Sequence, residues 1–398
     1  MIAAIILLAL LLVDISAPAS DYASNNGTPI DRFSFFRDFD GWMQKGYEQY
    51  GEPPTNQSLT ANIVVGAGEK YESIQDAFDA GFSCLYLKNQ CFNITKPIVP
   101  PKEDFYVIGD GAEIVAVEPM RAVFDIRNVR YAHFDGVFIN GNGLAQKGID
   151  AMHAPSWVPS HQVRNSKVWG ATLANIDLTG CEDSLIFNSW IDGRKANDTP
   201  EAITEYGVKI GELGDGYKTG GQVNLIHVLM GFHRKADVYA KNIAQLKLAN
   251  SLLSSKTMWS PEIEANLMIE GGTGEDALLP IIELADLWVE NGPGGNVPNV
   301  LIRNRMISKL TVMGGVFYTD QSPNIYSALN PSAEIITLVG AFFENNPQYD
   351  GYNIVVPTKE LMSVGSSYNW KGIDTTNVTT YLIFDRDSST VQTNSDPS

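Results

Sequence analysis

The sequence predicts an all-β solenoid, and three observations predict it. First, one short pattern recurs: an apolar residue, two small or polar turn residues, then apolar or aromatic ones. It stands at Phe134-Asp135-Gly136-Val137-Phe138, Phe187-Asn188-Ser189-Trp190-Ile191 and Ala249-Asn250-Ser251-Leu252-Leu253. It returns at Met313-Gly314-Gly315-Val316-Phe317, Val339-Gly340-Ala341-Phe342-Phe343 and Val364-Gly365-Ser366-Ser367-Tyr368. Second, the spacing is regular. Turn positions 314, 340 and 365 lie 26 and 25 residues apart, one coil each, and 135 and 188 lie 53 apart, two coils. The gaps of 62 and 64 residues from 188 to 250 and from 250 to 314 fit two coils with inserted loops. Third, the stretch Tyr71 to Val117 fits a helix and three brief strands into one period, and none of them can bury a face alone. Asn, Gly and Ser suit the turns because a sharp bend between parallel strands needs left-handed or bridge dihedrals.

Within that opening stretch Ser73 is placed to cap a helix whose Ile74, Ala77 and Phe78 recur at helical spacing. Strands are expected at Leu85–Leu87, Ile98–Val99 and Phe105–Ile108, separated by Pro, Gly and Asn. The residues YESIQDAFDAG, LYL and FNITKPIVPPKEDFYVIGDGAEI resemble the opening of the pectate-lyase-like (pectin-lyase-fold) superfamily. There a capping helix leads into a strand, an isoleucine rung closed by proline and an IGDGA turn. The resemblance covers about fifty residues. It implies a right-handed, single-stranded parallel β-helix with an N-terminal capping helix, and polysaccharide recognition or cleavage as the activity. Such folds also serve as non-catalytic virion spikes and adhesins.

Met1–Val13 is an apolar run of signal-peptide length, followed by Ala17-Pro18-Ala19, so residues 1–19 read as a secretory signal. A retained anchor or a buried strand are the other readings. Residues 20–60 form an aromatic-rich extension whose Phe36, Phe39, Met43, Tyr47 and Tyr50 fall near one helical face. It fits a cap for the open end of the solenoid, or a docking element for a homotrimer or a larger particle. Residues 61–384 form the solenoid, and the polar tail 385–398 reads as disordered. Gly148–Gly170, Arg194–Gly221, Trp259–Glu262, Gly271–Pro280 and Glu290–Pro298 break the rhythm and read as surface loops.

A formal net charge of −18 argues against nucleic acid or an anionic membrane as the main partner. A secreted or virion-surface protein that meets a polysaccharide or cell-surface glycan is compatible with it. Sequons at Asn26, Asn56, Asn93, Asn197 and Asn377 agree with export. Cys84 and Cys91 are spaced for a small disulfide loop, while Cys181 is left over and suits a buried rung.

Chemistry-bearing residues cluster twice. NIDLTGCEDSLIFNSWIDGRK supplies the carboxylates Asp177, Asp183 and Asp192 (with Glu182) beside Arg194 and Lys195, and Asp135 and Asp237 fall on neighbouring coils. Two carboxylates at a set distance are what glycoside hydrolysis needs. NLIHVLMGFHRKADVYAKN gathers His227, His233, Arg234, Lys235 and Asp237. That cluster fits an acidic sugar, or a base for uronate elimination with carboxylates holding calcium. His153, His161, Trp157 and Trp169 suggest a sugar-stacking platform. Each cluster also has a plain structural reading: turn carboxylates, a polar turn after a buried strand, or aromatics packed over a coil. The Asn-Thr-Asp, Gly-Asp-Asp, Gly-His-Gly and Arg-Ile-Lys signatures of polygalacturonase-like enzymes do not occur, nor do HExxH, CxxC, EF-hand or G-x-S-x-G motifs.

Overall fold

The computed structural model describes residues 63–101, 104–153, 159–195, 202–211, 219–255, 261–272, 278–291, 295–346, 348–369, 371–385 and 392–395. Segments 1–19 and 20–60, Trp157 and the sequons at Asn26, Asn56 and Asn197 lie outside them.

The chain is a parallel β-solenoid of about ten turns. One sheet takes a single strand from each turn, ten among the described residues, from Met120–Asp125 to Lys371–Ile373. The other strands pair into a 21-stranded sheet that bends at a corner into two faces. Apolar residues that alternate along the strands meet inside. Phe78, Phe105, Phe134 and Phe124 follow one another edge to face at 5.5, 5.5 and 4.9 Å, and Phe317, Phe343 and Tyr368 stack at 5.1 and 5.4 Å. The helix Ile74–Asp79 precedes the coils; Ser73 Oγ accepts from the Asp76 N–H at 3.3 Å, and Ile74, Ala77 and Phe78 are buried.

The bend in the long sheet is made by one left-handed residue per turn. Gly136, Asn165, Asn188, His227, Asn250, Asp286, Gly314, Gly340 and Gly365 have φ between 47° and 66°. Three of these corners, Asn165, His227 and Asp286, fall inside the gaps that the repeat pattern left open. The asparagines also bond along the stack: Asn165 Nδ2 donates to Asp135 Oδ1 at 2.7 Å, and Asn188 Nδ2 to Asn165 Oδ1 at 2.9 Å. Three serines that directly follow a corner repeat the device. Ser166 Oγ accepts from Val137 N, Ser189 Oγ from Ser166 N and Ser251 Oγ from Val228 N. Backbone groups freed by the bend are thereby satisfied from the next coil.

Four expectations are corrected. The second early strand is Cys91–Ile94, while Ile98 makes only an isolated bridge to Phe124. Gly148–Gly170 is not one loop, since Ser160–Arg164 and Lys167–Trp169 are rung strands whose polar residues hide the alternation. In the tail, Gln392–Ser395 pairs antiparallel with Val378–Phe384. Cys84 and Cys91 are not joined by a disulfide. They pair with Tyr106 and Glu113, seven positions apart on one strand, and at about 3.3 Å per residue that exceeds a disulfide's reach.

Candidate functional site

The structure does not gather the predicted residues into one centre. Asp183 sits in a left-handed turn (φ 47°) and accepts from the Gln222 N–H at 3.3 Å. Arg234 pairs with Glu262, and Lys235 Nζ with Glu205 at 2.9 Å. Asp135 belongs to the corner stack. His227 is itself a corner residue, and burial pushes its pKa down to about 4, so it carries no charge for an acidic sugar at neutral pH. Asn93 and Asn377 are exposed.

His233 and Asp237 are interior. His233 Nδ1 lies 2.6 Å from Asp237 Oδ1 and its Nε2 lies 3.2 Å from Asn175 Nδ2. Asp237 also accepts from the Ser255 hydroxyl at 2.5 Å and from Asn266 Nδ2 at 3.1 Å. Register places Asn175, Gly207, Asp237, Asn266, Asn299, Asn324 and Asn353 at one level of successive coils. The imidazole fills the room left at Gly207, where a Cβ would stand 2.7 Å from it. Both residues are buried, which removes them from substrate binding.

Asp177 takes part in a buried ion network on the ten-strand sheet. Lys147 Nζ bridges Asp150 Oδ1 at 2.8 Å and Asp177 Oδ2 at 2.6 Å. Arg121 Nε donates to Asp150 at 2.7 Å, and the Thr179 hydroxyl to Asp177 at 2.6 Å. Burial alone would lower the Lys147 pKa, but Asp177 and Asp150 outweigh it and raise the value. Farther along, Tyr206 stacks on Tyr239 at 5.1 Å, with Lys235 and Lys209 over the Tyr206 ring at 5.6 and 5.9 Å.

Asp192 lies instead on the long sheet, in two outward rows set by the corners. Positions two and four past each corner alternate with core residues such as Val168, Ile191, Val289, Phe317 and Phe343, although Lys167, Trp169, Trp190, Asp192, Ser254 and Glu290 in these rows are themselves buried. The first row reads Phe138, Lys167, Trp190, Leu229, Leu252, Trp288, Val316 and Phe342. The second holds Asn140, Trp169, Asp192, Gly231, Ser254, Glu290, Tyr318 and Glu344.

The first half of these rows is a compact aromatic and charged cluster. Lys167 Nζ lies 3.8 Å from the Trp190 ring centre and 4.7 Å from that of Trp169, and burial pushes its pKa down to about 8. Arg194 holds Asp192 at 2.6 Å and stacks on Phe232 at 3.9 Å. Gly193 permits this packing, since a Cβ there would meet the Phe232 carbonyl oxygen at 1.9 Å. The second half carries Trp288, whose indole N–H donates to Glu290 Oε2 at 3.3 Å; Ser254 Oγ donates to Glu290 Oε1 at 3.0 Å. Sequence reasoning found Asp192, Arg194 and Trp169 but missed Lys147, Asp150, Lys167, Trp190, Trp288 and Glu290. Counting two residues from the corner at Asn188 would have found Trp190; Lys167, Trp288 and Glu290 follow Asn165 and Asp286, corners that the repeat pattern left open.

Among the described residues no three His, Cys, Asp or Glu side chains are placed to hold a metal ion.

Fold and surface together define an all-β parallel solenoid with an aromatic and acidic outer face. No protein-family model and no curated protein sequence matches the chain. Among solved structures it is similar to a protein described as Geobacillus virus E2 ORF18, at 11% identity and a TM-score of 0.47, over 93% of this chain and 68% of that one. It is also similar to the catalytic domain of a GH87 alpha-1,3-glucanase in complex with nigerose, at 13% identity and a TM-score of 0.42, over 85% of this chain and 70% of that one.

Proposed function

We propose that this protein recognises polysaccharide on the outer face of its long sheet, using the β-solenoid as a rigid glycan-binding shaft. The observation that carries this reading is Trp288, 39% exposed in the middle of the sheet, with Val316 and Phe342 following it in register on the next two coils. An exposed aromatic face packs against the apolar side of a sugar ring. The carboxylates named as candidate catalysts are each engaged: Asp177 by Lys147 and Thr179, Asp192 by Arg194, and Asp183 by the Gln222 backbone. Secretion or display on a virion, as a trimer or docked to a particle, fits this role.

One observation favours a catalytic second reading. Lys167, brought near neutrality by burial beside two indoles, is suited to accept a proton in uronate elimination. Incubating the full chain with neutral and acidic polysaccharides, with and without calcium, separates the two. Binding without new reducing ends or unsaturated products supports the shaft. Unsaturated products abolished by Lys167→Met would establish the lyase. Absence of both binding and products would overturn both.

A further inference from the structure

We infer that the outer face of the long sheet before its corners is the surface on which a second copy of this chain docks. The inference is independent of the glycan reading, whose rows lie beyond the corners. Six strands form this face over the last coils, from Ile243–Ala249 to Val378–Phe384. Their inward residues, such as Leu248, Leu284, Val312 and Leu338, already fill the core. A sheet with one face in water alternates apolar and polar residues, whereas apolar residues on both faces mark strands covered on both.

Here the outward residues are apolar too. The one just before each corner reads Ala249, Ala285, Met313, Val339, Val364 and Phe384 in unbroken register. Met313 is 42% exposed and Phe384 53%. Nearer the N-terminus the same row holds Asp135 and Arg164, so the position does not itself demand an apolar residue. The row beside it changes from Lys247 and Glu283 to Thr311, Thr337, Met362 and Leu382. In the third row stand Ile281 and Ile335, each 38% exposed. Strands about 4.8 Å apart, most of them seven residues long at about 3.3 Å each, give a footprint of about 600 Å². Two copies together then bury about 1,200 Å², above the roughly 1,000 Å² that a specific interface needs.

Charge selects the occupant. The chain carries a formal −18, yet the outward charges of this face are Lys247, Lys309 and Lys359 against Glu283, Glu334 and Glu360, which cancel. Lys359 Nζ meets Glu334 at 3.2 Å within the face itself. Two copies of an acidic chain come together with least repulsion through a neutral surface, and an anionic membrane would still be repelled by the rest of the protein. A glycan would find one outward aromatic ring here, that of Phe384. A flat face of Val, Ile, Met and Thr fits a second sheet, packed about 10 Å away.

The test is the mass of the full chain by light scattering at concentrations up to about 50 µM, a range that captures a micromolar dissociation constant. We expect a mass of at least two chains that falls towards one on dilution. Met313→Glu should weaken association by about a hundredfold, because it sets a carboxylate among apolar residues on both copies. Thr337→Arg, which alters no core residue, should also dissociate the assembly, and far-ultraviolet circular dichroism checks that both variants keep the fold. A single-chain mass throughout the range overturns the inference. So does an assembly that survives both substitutions.

Discussion

Asn188 donates its side-chain amide to Asn165 at 2.9 Å, and both residues hold the left-handed conformation that turns the long sheet. The bond links two coils at the corner itself. It also fixes the phase of the outward rows, because Lys167 and Trp190 stand two residues beyond these asparagines.

The corner residues should therefore differ in what they tolerate. At Gly340 a Cβ meets nothing within 4 Å, so Gly340→Ala meets only the left-handed penalty of about 1–2 kcal/mol. At Gly193 the same change drives a Cβ into the Phe232 carbonyl and should cost more than twice as much. Urea midpoints of the two variants check the ranking.

Lys147→Met should be among the most damaging substitutions on the ten-strand sheet. It leaves Asp150 and Asp177 buried without their shared cation, at a cost of about 3–5 kcal/mol. The double variant Asp150→Asn, Lys147→Met should recover part of that loss. Thermal midpoints at pH 7 give the comparison.

Lys167 sets an alkaline slope. Its folded pKa, pushed down to about 8 by burial, lies below lysine's ordinary 10.5, so between those pH values the unfolded chain binds more protons. Stability should rise as pH climbs from about 8 to 10.5, by up to about 1.4 kcal/mol per unit. Lys167→Met should remove the rise, as denaturant titrations at stepped pH would show.

His161 acts at the acid end. It pairs in register with Ala132 on a core row, and burial, then the neighbouring His153, pushes its pKa down to about 3. Only the unfolded chain gains that proton below pH 6.5, so stability should fall as pH drops from 6.5 towards 3. His161→Leu should flatten the decline, measured by the thermal midpoint at pH 4 and pH 7.

Much of the fold was legible because the coil's phase is written locally. Asn188, Asn250, Gly314, Gly340 and Gly365 announce corners through small or polar turn residues between apolar ones. Asn165, His227 and Asp286 escaped, the first because Arg164 and Lys167 replace the flanking apolar residues, the others because Val228 and Leu287 stand where the pattern has a second small or polar residue. The site was far less legible. Lys147 meets Asp177 thirty residues on, and His233 fills the room over Gly207, through stacking that depends on loop lengths between coils. Charged residues adjacent in sequence, such as Arg234 and Lys235, point to separate partners for the same reason.

Hydrogen–deuterium exchange of the full chain, with and without a bound glycan, tests glycan recognition by the outer face most directly. The account predicts protection in three segments about one coil apart in sequence, around 288–290, 316–318 and 342–344, and little change on the ten-strand sheet. Protection centred on Tyr206, Lys209 and Tyr239 instead, with those three segments unchanged, would contradict it.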